Sequence, residues 1–192
     1  EVDRSANVRL PFDAELYAPF IETEDDPESL ATFYETTTNS EAQYGAPLIS
    51  VNSDMIKLYN KTARQKIDID AFEKGEVCLI GYVDSISASE RMTDKTLTLV
   101  NDQTGRKRQI SVGAAMMRTE QSAITAGYYW VLGGAPEAIF VSDAVMDDLF
   151  PDAEISCIIA DAEKGKESEV TPYVQRIVKE NPVIAGSDIK SV

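Results

Sequence analysis

The stretch "IDIDAFEKGEVCLIGYV", residues 67–83, decides how the chain is read. Ile67 and Ile69 alternate with Asp68 and Asp70, which in an extended segment sets the carboxylates on one face and the isoleucines on the other. Phe72 then begins a turn that Gly75 completes, and "EVCLIGYV" follows as an apolar strand. Two aspartates near a cysteine invite a search for a reaction centre. Alternation along one edge, however, explains Asp68 and Asp70 without any substrate, and it outweighs a paired-carboxylate reading. Cys78 lies within the apolar strand with Lys74 as its one evident cationic neighbour, so little is present to lower its thiol pKa. A buried, inert thiol is the better reading, and the stretch is a structural junction built on Phe72 and Gly75.

Upstream of the junction, "ANVRLPF" reads as a short strand stopped by Pro11. In "DDPESLATFYE", Asp26 can cap a helix that starts at Pro27 and carries Leu30, Phe33 and Tyr34 on one face. "APLISVN" predicts a buried strand running into Ser53, the expected cap of a second helix with Met55, Ile56, Tyr59 and Ala63 toward the core. Downstream, "TLTLV", "RQISVG" and "YYWVL" are strand-like, and "NDQTGRK" supplies the hairpin turn between the first two. "EAIFVS" is a further strand. Ser142 is placed to cap the helix "DAVMDDLF", which Pro151 closes. Strand "EISCIIA", helix "PYVQRIVKE" and strand "PVIAG" then form a β-α-β unit, with Val174, Ile177 and Val178 on one side of the helix. The expected fold class is α+β in two lobes: residues 1–83 with 152–192 as an α/β lobe built from both chain ends, and residues 84–151 as a smaller β-rich insertion.

Composition narrows the function. The 192 residues hold enough apolar character, 43%, for a globular core. The net charge of -15, with no basic stripe, repels nucleic acid and sets that class of partner aside. No histidine is present, which removes the commonest general base and metal ligand. Cys78 and Cys157 are the only cysteines, too few for a four-thiolate zinc site in one chain. They can pair in an oxidising compartment, but two buried thiols is the favoured alternative. No apolar run reaches the roughly 18–20 residues that cross a bilayer. The first residue is Glu1 rather than methionine, and a strand-like segment stands just before Val192; such ends suit a piece of a longer protein or a processed chain.

The remaining candidates favour structural readings. The acidic run at residues 22–28, "ETEDDPE", lacks the ligand spacing and turn glycine of a calcium loop and reads as a solvated helix start. "GGAP" at residues 133–136 is a turn without a phosphate-loop fingerprint. In "YYW", Tyr128 and Trp130 share one face and Tyr129 takes the other, so core packing competes with an aromatic binding patch. Asn60-Lys61-Thr62 fits a glycosylation triplet that carries little weight. No catalytic, cofactor-binding or metal-ligating residue is assigned, and no cofactor is expected.

The order of segments from "APLISVN" to the end resembles the large extracytoplasmic domain of FtsX/MacB-like permeases, membrane subunits of bacterial ABC transporters. The resemblance rests on a strand and helix followed by the Ile-Asp segment, then Phe72, Gly75 and the apolar strand through Val77, Leu79 and Ile80. It continues through the "IFVS" strand, the helix with Met146 and Phe150, the strand with Ile155, and the helix around Val174 and Val178. Where many family members place Gly-Asp before the strand "TLTLV", this chain has Thr93-Asp94.

The resemblance implies a porter-like lobe from the two chain ends with the β-rich lobe inserted. The domain would stand outside the bacterial cell membrane between two membrane helices of a permease that dimerises and works with a cytoplasmic ATPase subunit. It would carry no catalytic residue itself and would pass ATP-driven motion to an exported substrate or to an external partner protein. The alternative is a stand-alone secreted or surface module for ligand binding or adhesion, and an enzyme using Asp68 and Asp70 ranks below both.

Overall fold

The computed structural model describes residues 2–11, 43–83, 89–90, 92–117, 138–158 and 165–180. They belong to two compact units, Glu1–Ile158 and Ile159–Val192. The first unit is mixed α/β: a curled mixed sheet with few helices. Its strands are β1 (Val2–Pro11), β2 (Gln43–Ser50), β3 (Val77–Val83), β4 (Thr96–Val100), β5 (Lys107–Met117), β6 (Ile139–Val141) and β7 (Ile155–Ile158). Its helices are α1 (Ser53–Thr62), α2 (Ile69–Glu73) and α3 (Asp143–Leu149). The second unit contributes α4 (Glu167–Glu180), which starts five residues before the Pro172 that opens the sequence's helical pattern.

The strand order is β2-β6-β3-β5-β4-β1-β7, with a further pairing between β2 and β1. That pairing curls the sheet into a ring of six strands. β1 performs the closure: Ser5 to Pro11 run antiparallel to β2, Arg9 meets Val100 of β4, and the first residues pair with β7. β2 with β6 and β3 with β5 are parallel pairs, while the β4–β5 hairpin is antiparallel. Strands from residues 1–83 and 152–192 thus share one sheet with strands from residues 84–151.

The inner face follows the strand period of two. Val8 and Leu10, Ala46 and Leu48, Cys78 and Ile80, Leu97 and Leu99, Ile110 and Val112, and Ile139 and Val141 are buried in one cluster with Val145, Met146 and Leu149 of α3. The alternation survives a bulge. Cys78 pairs with Val112 but Leu79 with Ala114, so Gly113 is the extra residue and Ala115 resumes the inward face. On the outer face Ile49, Phe140, Leu79 and Ala114 are register neighbours, and all are buried. α2 lies against β3 and α1 against α2, and their buried Met55, Ile56, Tyr59 and Phe72 supply apolar cover on that side. A strand buried on both faces reads as the continuous apolar run that "VCLIG" presents.

The junction differs from its expected form. Residues 67–70 are not an alternating strand: Asp68 is the N-cap of α2, its carboxylate accepting the Ala71 N–H at 2.9 Å. Ile67 before the cap and Phe72 four residues into the helix are both buried, the two positions of a hydrophobic staple. The sequence I-D-I-D fits either period over four residues, and the cap together with the burial of Phe72 selects the helix. Gly75 does complete the turn, at φ +70° with its N–H donating to the Phe72 carbonyl at 2.8 Å. The cap of α1 is Asn52 rather than Ser53, because Asn52 Oδ1 accepts the Met55 N–H at 3.0 Å. Ser142 occupies the N-cap position of α3 but makes no side-chain cap bond.

The expected helix at residues 25–35, the strand at 128–132 and the final strand at 182–186 lie outside the described residues.

Candidate functional site

The densest polar arrangement among the described residues surrounds α3, and its parts come from four distant pieces of chain. The helix buries Val145, Met146 and Leu149 and leaves Asp143, Asp147 and Asp148 on the outside. From β1, Arg4 reaches Asp143 at 3.0 Å and Asp147 at 2.8 Å. Burial alone would lower the pKa of this guanidinium, but hydrogen bonds and charge from the two aspartates outweigh it and raise the value. From β5, Arg108 donates to Asp148 Oδ2 at 2.8 Å and to the Gly75 carbonyl at 3.1 Å. One side chain therefore ties the helix to the turn that releases β3.

The C-terminal end of α3 is held by the hairpin. A helix leaves its last carbonyls without internal partners. Asn101 Nδ2 donates to the Leu149 carbonyl at 2.8 Å, and Arg106 donates to the Asp148 carbonyl, also at 2.8 Å. Asn101 has a second task. Its Oδ1 accepts the N–H groups of Gln103 and Thr104 and so shapes the β4–β5 turn, while its own residue is buried. "NDQTGRK" announces the turn, but no local signal reveals that its asparagine also docks a helix. Arg4 and Arg108 likewise carry no local signal, since their partners stand 139 and 40 residues away.

A second polar cluster lies beside α1. Gln65 Oε1 accepts from Ser89 Oγ and Thr93 Oγ1 at 3.0 Å and from the Ala115 N–H at 3.2 Å. Ser89 Oγ also donates to the Ala115 carbonyl at 2.6 Å. The helical turn before β4 is thereby fixed to the end of β5. Asp94, in the position of the departure from Gly-Asp, follows it with a left-handed backbone at φ +66°.

The carboxylates Asp143, Asp147 and Asp148 of α3 are paired with arginines. Asp68 is occupied as a cap, and Asp70 is exposed in the first turn of α2. Cys78 is free and buried, and burial pushes its thiol up to about 12, so at neutral pH it is held as the protonated, neutral thiol. Asn60 donates from Nδ2 to the Ile67 carbonyl at 2.8 Å and accepts the Ile67 N–H at 2.9 Å, a pairing that engages the nitrogen a glycan would need. The acidic run at residues 22–28, the aromatic triplet at 128–130 and the turn at 133–136 lie outside the described residues.

Among the described residues, no three His, Cys, Asp or Glu side chains are grouped to hold a metal ion, and no helix is long and apolar enough to cross a membrane. Compared with known family models, curated proteins and solved structures, the chain matches none of them.

Proposed function

We propose that the chain is the extracytoplasmic domain of an FtsX/MacB-like ABC transporter permease, a non-enzymatic part that passes ATP-driven motion of membrane helices to an exported substrate or an external protein. The observation that carries this reading is the order of elements from residue 46 onward: strand, helix, the Phe72–Gly75 turn, apolar strand, hairpin, the "IFVS" strand with its helix, then strand and helix. The arginine ties of α3 suit such a role, because a domain that transmits movement needs elements that shift together rather than slide.

Its partners in this reading are a cytoplasmic ATPase subunit, a second permease copy and an unidentified external substrate or protein, at the bacterial cell membrane. The porter-like two-lobe layout belongs to the same proposal. In it residues 84–151 are the smaller β-rich insertion, although β4, β5 and β6 of that range share a sheet with β1 and β3.

The test is to isolate the full gene product from its native cells. Recovery from the membrane fraction together with an ATP-hydrolysing subunit is the expected result. Recovery as a free protein outside the membrane would instead favour the stand-alone binding module.

A further inference from the structure

We draw no further inference here: the strongest candidate, the exposed apolar side chains of Val170 and Tyr173 on α4, carries nothing because nothing in the structure shows what covers them.

Discussion

The guanidinium of Arg108 donates to the carbonyl of Gly75 at 3.1 Å, across a sequence separation of 33 residues, while its other nitrogen holds Asp148. Gly75 has no room for a side chain in this arrangement. A Cβ there would lie 2.7 Å from both Arg108 Nη2 and Val145 Cγ2, on a backbone at φ +70°. The turn, the hairpin strand and α3 therefore meet at one point that only glycine fits.

Gly75→Ala should be costly for two reasons that a second glycine separates. Gly105 has the same φ of +70° but nothing within 4 Å of an added Cβ. Gly105→Ala should cost only the left-handed conformation, about 1–2 kcal/mol. Gly75→Ala should add the clash with Val145, a further ~1–3 kcal/mol. Urea unfolding of both variants measures the difference, and equal losses would remove the packing argument at Gly75.

Asn101→Ala should destabilise by about 2–3 kcal/mol, because it strips the buried Leu149 carbonyl bond of its donor and two turn N–H groups of their acceptor. Gln103→Ala, two residues on and exposed, keeps its backbone N–H and should stay within ~0.5 kcal/mol. A cost at Asn101 as small as that at Gln103 would show that the side chain does not dock α3.

Asp68 and Asp70 should part company. Loss of the cap in Asp68→Ala should cost roughly 1 kcal/mol, while Asp70→Ala should change stability by about half of that or less. An enzyme using both carboxylates would instead lose turnover with either change while keeping its fold. Parallel thermal melts and activity screens distinguish the two outcomes.

Cys78 gives the pH dependence. Burial raises the folded thiol from its ordinary value of 9.0 to about 12, so the folded state favours the neutral form. Its contribution to stability is complete below pH 9.0 and is lost as pH climbs toward about 12. In a Cys157→Ser background, Cys78 should resist a thiol reagent at pH 8 in the native protein and react on unfolding. Prompt native reaction would mean that the strand core opens there.

Much of this fold is legible in local sequence because local rules produce it. The β4–β5 hairpin follows from two apolar-alternating runs around a turn with Asn101 and Gly105. β3 follows from an unbroken apolar run, and α1 and α3 from their spaced apolar residues. What stayed hidden is nonlocal or degenerate. Closure of the sheet depends on β1 meeting β2 and β4, and nothing in "ANVRLPF" names its partners. Residues 67–70 satisfy helix and strand periods alike, and the buried pair Ile67 and Phe72 breaks the tie only once α2 packs on β3. Arg4, Arg108 and Asn101 became informative because folding brings the ends of α3 to them, whereas the sequence drew attention to Asp68, Asp70 and Cys78 by residue type alone.

The most direct measurement for the proposed role is the translated coding sequence on either side of Glu1 and Val192. Apolar spans of about 20 residues flanking the segment, with an ATPase reading frame adjacent, are the predicted result. A signal peptide just upstream with a stop codon just downstream would contradict the permease assignment and leave a stand-alone extracytoplasmic module in its place.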